Sequence, residues 1–107
     1  MSKLVVDAQV ERNLEVAETK SKPQEPKKYK VLLVNDDYTP MEFVVEILKR
    51  FFYQPEPIAI QVMMKVHVEG KAVCGVYTRD IAETKVVLVN EYAKMNEHPL
   101  LCCMEQN

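Results

Sequence analysis

Tyr29-Lys30-Val31-Leu32-Leu33-Val34-Asn35-Asp36-Asp37-Tyr38-Thr39-Pro40-Met41-Glu42 changes character twice, and the fold is read outward from it. Tyr29 to Val34 is a short aliphatic and β-branched run, which predicts a buried strand. Asn35, Asp36 and Asp37 end it with turn-forming side chains. Thr39-Pro40-Met41-Glu42 then has the spacing of a capping box with proline at the first helical position. On that reading the threonine oxygen accepts from the third helical N–H and Glu42 reaches back to the N–H of the cap. The helix so opened is expected to run to about Tyr53, with Val44, Ile47, Leu48 and Phe51 on one face and Glu46, Lys49 and Arg50 on the other.

Downstream, Pro55 and Pro57 break the chain, and Pro57 can begin a second helix. Its Ala59, Val62, Met63 and Val66 fall at helical spacing, and Gly70 ends it. Lys71 to Thr78 reads as a second strand. Arg79 to about Asn96 reads as a third helix, with Thr78 as N-cap and Asp80 and Glu83 complementing the positive helix end. Pro99 stops it, and Leu100 to Met104 is a last short strand. The order βααβαβ predicts an α+β fold, a three-stranded antiparallel sheet packed on one face by three helices. Upstream, residues 1–28 contain no aromatic residue and end in prolines among charges. They are expected to form a flexible N-terminal extension, with a transient helix at most through Val6, Val10, Leu14 and Ala17. Residues 29–107 form the predicted domain.

Composition narrows the function classes. A chain of 107 residues holds one substantial core. A net charge of -2 lacks the basic surface with which a general nucleic-acid binder displaces counterions. No apolar run reaches the length needed to cross a bilayer, and Asp7, Glu11 and Glu15 stand where a secretory signal would be apolar. Three cysteines, an odd number without an export signal, read as reduced cytosolic thiols.

Few residues are placed for catalysis. Serine occurs only at Ser2 and Ser21, and two glycines, Gly70 and Gly75, cannot build a phosphate-binding loop. Cys102 and Cys103 are neighbours on a strand, so they point to opposite faces, and Cys74 is remote in sequence. No metal-ligand spacing results. His98, beside Pro99, reads as a helix-end cap or a solvent contact. Two features are less ordinary. The turn after the first strand has more acidic side chains than it needs, since Thr39 is already assigned as cap, and adjacent carboxylates repel unless a cation compensates. His67 follows Met63 by four residues and shares its helix face.

The run Val34 to Val44 closely resembles the signature of the ClpS family of bacterial adaptor proteins. Further matches lie in Met63-Met64-Lys65-Val66-His67, in Gly70 to Gly75, in Ala82-Glu83-Thr84-Lys85 and in Asn96 to Leu100. The resemblance implies a cytoplasmic, non-catalytic adaptor without cofactor or metal. Such an adaptor binds proteins beginning with Leu, Phe, Tyr or Trp and delivers them to the ClpA–ClpP protease. It places Asn35, Asp36 or Asp37, and His67 around the substrate's α-amino group. That group is mostly an ammonium at neutral pH and offers three donors and a charge. A pocket for the first side chain would draw on Thr39, Met41, Val44, Met63, Val66 and Leu100. Asp80 and Lys85 match positions that contact the N-terminal domain of the ClpA unfoldase, and the N-terminal extension would take part in delivery. Two other readings stay open: a metal-dependent hydrolase using Asp36, Asp37 and His67, and a ribosome-associated interaction domain of similar element order.

Overall fold

A computed structural model describes residues 25–107. The elements are β1 (Lys28–Val34), α1 (Met41–Phe52), α2 (Glu56–Glu69), β2 (Lys71–Thr78), α3 (Arg79–Met95) and β3 (Leu101–Gln106). The three strands form one sheet in the order β2-β1-β3, antiparallel throughout, so the expected α+β architecture is the one observed. Lys28 already belongs to β1. The expected helix through Val6, Val10, Leu14 and Ala17 lies outside the described residues, as does most of the expected extension.

The most aliphatic strand takes the centre of the sheet, where a strand loses water on both sides and a continuous apolar run is favoured. Val31 and Leu33 face the helices without any exposure, and Leu32 on the other face is also buried. Ile47 and Leu48 of α1, Ala59 and Val66 of α2, and Ala82, Val89 and Ala93 of α3 complete one core with them. The opposite face of the sheet carries the exposed Val73, Val76 and Leu101.

The pairing of β1 with β2 shifts register between Val31 and Leu32: Val31 stands opposite Gly75 and Leu32 opposite Val73, which leaves Cys74 as the extra residue of a bulge. The side-chain amide of Gln54 donates to the Cys74 carbonyl at 3.0 Å. A Cβ on Gly75 would collide with the outer end of the Tyr77 ring, which would have to move aside. At the other edge, Asn90 of α3 holds the backbone of Cys102 from both sides, accepting from its N–H at 2.8 Å and donating to its carbonyl at 2.9 Å.

Helix ends depart from expectation in informative ways. The capping box does not form. Pro40, extended at φ -62 and ψ 145, is the N-cap of α1, and Thr39 makes no cap hydrogen bond. The Thr39 hydroxyl donates instead to Asp36 at 2.6 Å, and its N–H donates to the same carboxylate at 2.9 Å. A carboxylate three residues upstream outcompetes the helix for that hydroxyl, and the Pro40 carbonyl takes the first helical N–H groups. Thr78 is the N-cap of α3 as expected, again without a side-chain bond. The second helix starts from Pro55, with Pro57 inside its first turn rather than opening it.

At its far end α3 closes in a Schellman motif. Glu97 adopts a left-handed φ of 62, its N–H reaches Lys94 at 3.0 Å, and the His98 N–H reaches Ala93 at 2.9 Å. The backbone of His98 thus does the capping that its side chain was expected to do, while its ring, half-buried, packs on Phe43 with centroids 4.3 Å apart.

Burial also separates the three thiols. Cys74 and Cys102 are buried and Cys103 is partly exposed on the other face, as strand alternation requires. Burial disfavours the thiolate and pushes Cys74 up to about 12, and Cys102 is raised for the same reason. In an unfolded chain these thiols ionise at ordinary values, so their stabilising effect is complete below about pH 9 and is lost as pH rises toward 12. Native alkylation at pH 8 should modify Cys103 rapidly and the other two only after denaturant is added. Three thiols reacting at equal rates in the native protein would contradict the burial pattern.

Candidate functional site

The site starts from a single backbone bond. After β1 the chain leaves the sheet at Asn35, whose N–H donates to the Gly70 carbonyl at 2.8 Å. Gly70 ends α2 in a left-handed conformation, φ 93, which a residue with a side chain adopts at a cost. This contact pins the loop following β1 against the last turn of α2, where His67 lies. Two segments more than thirty residues apart in sequence therefore meet at one point.

Within the loop, the adjacent carboxylates have separate tasks. Asp36 Oδ1 accepts from the backbone N–H groups of Tyr38 at 2.8 Å and Thr39 at 2.9 Å, and Oδ2 accepts from the Thr39 hydroxyl. Its oxygens are spent on the shape of the turn. Asp37 is exposed and accepts no hydrogen bond among the described residues. The two acidic side chains thus differ in placement: Asp36 builds the loop and Asp37 is exposed on it.

Beside this loop is a cavity of about 160 Å³. Its mouth is formed by Asn35, Asp36, Asp37 and His67, with no lysine or arginine among the lining residues. Its walls are Thr39, Met41, Val44, Met63, Val66 and Leu100. Met41 and Val44 come from the first turn of α1, Met63 and Val66 from one face of α2, and Leu100 from the segment before β3. Val44, Met63, Val66 and Leu100 are buried, whereas Met41 is 44% exposed and forms a movable edge. All ten residues expected to surround an α-amino group and a side chain lie on this one cavity.

The elements behind the walls hold them in place. Phe43 stacks on Tyr92 of α3 with centroids 5.7 Å apart and receives His98 on its other contact, which fixes the start of α1 against the segment carrying Leu100. The Gly70 carbonyl is the participant that residue-type reasoning passes over. Its only signal is the glycine that stops α2.

Lys85 and Asp80 lie elsewhere, on α3, and neither lines the cavity. Asp80 is exposed in the first turn. The Lys85 ammonium donates to the Phe51 carbonyl, capping the C-terminal end of α1, and sits 4.8 Å from the ring centre of Tyr53 and 5.6 Å from that of Tyr77. Tyr53 holds a left-handed φ of 55, unusual for an aromatic residue.

No group of three or more His, Cys, Asp or Glu side chains among the described residues is placed to hold a metal ion. The Asp36 oxygens, one third of the ligand set a hydrolase reading requires, are already engaged with the turn.

A family model described as the ATP-dependent Clp protease adaptor protein ClpS matches residues 24–103. The chain belongs to the ClpS family. A curated relative, the ATP-dependent Clp protease adapter protein ClpS of Sodalis glossinidius (strain morsitans), is 53% identical over 96 residues, covering 90% of this chain and 91% of the relative. A solved structure of Agrobacterium tumefaciens ClpS2 bound to L-phenylalaninamide is similar at a TM-score of 0.76 and 46% identity, covering 78% of this chain and all of that one. This ClpS-family chain is therefore an adaptor of the Clp protease system, a binding protein rather than the protease. No helix of the described residues is long and apolar enough to cross a membrane.

Proposed function

We propose that this ClpS-family chain takes hold of polypeptides by a free N-terminal Leu, Phe, Tyr or Trp and passes them, in the cytoplasm, to the ClpA unfoldase of ClpA–ClpP. The observation that carries the reading is the junction of Asn35, Asp37 and His67 at the mouth of an apolar cavity. An ammonium needs acceptors and negative charge, and these side chains supply an amide oxygen, a carboxylate and a ring nitrogen. Asp37 takes the charged contact, since the oxygens of Asp36 are committed to the turn.

The cavity suits one side chain. At about 160 Å³ it matches the cavity of about 150 Å³ that accommodates benzene in another protein. Burying a large apolar side chain contributes about 1.5–3 kcal/mol, and each charge-assisted hydrogen bond about 1.5–3 kcal/mol. Two or three such bonds with the side chain approach the roughly 8 kcal/mol of micromolar affinity, before ordering costs. The similar Agrobacterium protein supports the reading, because its ligand combines a free amino group with an apolar ring.

On the unfoldase side, docking falls in this reading to Asp80 and the neighbouring Ile81, which is 49% exposed. Lys85 contributes through the surface it holds in shape. Fluorescence anisotropy with peptides differing only in their first residue tests the proposal. Phe and Leu are expected to bind at least about tenfold more tightly than Ala, from the apolar area each buries. Asp80→Arg should leave these affinities unchanged while losing capture by the ClpA N-terminal domain. Equal affinity for Phe- and Ala-initiated peptides would dismiss the first-residue reading, and full ClpA capture by Asp80→Arg would dismiss the docking surface.

A further inference from the structure

Helix α2 is apolar on more sides than the core uses. Ala59, Met63 and Val66 are buried, but Ile58, Ile60 and Met64 are 43%, 41% and 42% exposed. A surface helix ordinarily confines its apolar residues to a stripe facing the core, so the fold leaves this second set unexplained.

Ile60 borders a groove of about 410 Å³ in the outer seam between α1 and α2. Met41, Val45, Ile60 and Met63 wall it, and Glu42 and Glu56 stand on its rim. Only Tyr53, Gln54 and Pro55 join the two helices, and Lys49 near the end of α1 pairs with Glu56 at the start of α2 at 2.8 Å. The helices are therefore antiparallel, and the groove extends from the start of α1 toward their connection. Met41 and Met63 also line the first-residue cavity, so these two methionines form the ridge between the two hollows.

We infer that this groove is a second subsite, which receives an apolar side chain from the residues immediately after the first one of a bound polypeptide. The inference rests on the first-residue reading above. Any chain whose first side chain fills the cavity must leave over the cavity's rim, and an extended chain advances about 3.3–3.6 Å per residue. Where it leaves past the exposed Met41, its second and third residues fall within one or two steps of the methionine ridge. Continuity with the cavity selects the occupant: the same polypeptide, held at one end, passes an apolar trough with methionine walls that can adjust to its shape. Having its next residue delivered by the first, the groove needs only a weak affinity of its own.

Three ligands test this on the full chain: L-phenylalaninamide, which has no second residue, and two labelled peptides beginning phenylalanine-leucine-leucine and phenylalanine-serine-serine. The leucine-bearing peptide is expected to bind about tenfold more tightly than the serine-bearing one. Ile60→Lys, and more mildly Ile60→Thr, should reduce that ratio to near unity and leave phenylalaninamide affinity unchanged. Equal binding of the two peptides by the native protein would overturn the subsite, as would a ratio that persists in Ile60→Lys. A dimer seen by sedimentation that Ile60→Lys dissociates, with the peptide ratio intact, would assign the groove to a second copy and overturn the inference equally. Loss of phenylalaninamide binding in the native protein would instead remove the first-residue reading, so the two failures are distinguishable.

Discussion

Acetylating the α-amino group of a leucine-initiated peptide is expected to lower its affinity at least a hundredfold. The free ammonium presents three donors and a charge, whereas the acetamide presents one N–H, no charge and added bulk at the mouth of the cavity. Asn35, Asp37 and His67 would then face a group that satisfies at most one of them. Losing two charge-assisted hydrogen bonds at about 1.5–3 kcal/mol each corresponds to roughly two to four orders of magnitude. The side chain alone, entering the cavity as before, cannot make up that difference. Isothermal titration of the two peptides measures the effect directly. A difference smaller than tenfold would mean that the apolar cavity, and not the polar mouth, carries recognition.

The second large effect separates the adjacent aspartates. Asp37→Asn should reduce peptide affinity by about tenfold to a hundredfold, the loss of one charge-assisted contact, without a change in melting temperature. Asp37 is exposed and makes no hydrogen bond among the described residues, so folding does not depend on it. Asp36→Ala should do the reverse first. It removes three accepted hydrogen bonds from the turn between β1 and α1, which costs about 2 kcal/mol and lowers the melting temperature by about 10 °C in a domain of this size. Affinity falls with it, because the turn that Asp36 shapes carries Asp37. Thermal melts run beside the titrations decide the matter. A destabilised Asp37→Asn, or an Asp36→Ala that melts normally, would reverse the division of labour drawn from the geometry.

The sequence made the elements legible because their signals are local. Strand-length aliphatic runs, helical spacing in α1 and α2, and stops at Gly70 and Pro99 each act within a few residues. What residue types could not convey was competition between local partners. Thr39 has the spacing of a cap, yet Asp36 claims its hydroxyl, and only the folded turn decides between them. The choice between Asp36 and Asp37 was open for the same reason. Contacts between distant segments were equally hidden: the Asn35 bond to Gly70, the amide of Gln54 on the bulge at Cys74, the ring of His98 on Phe43, and the Lys85 ammonium at the end of α1. The ten cavity residues were identified through likeness to a family, since spacing alone offered only neighbours within one helix, Met41 with Val44, and Met63 with Val66 and His67.

The position of β1 has a mechanical consequence. It is the first strand of the described residues and also the middle one, hydrogen-bonded along one side to β2 and along the other to β3. A pull on the chain ahead of Lys28, directed along the strand, loads both ladders simultaneously in shear, whereas a strand at the sheet's border would have a single ladder to bear the same load. Force arriving through the leading segment is thus shared between both neighbours of β1.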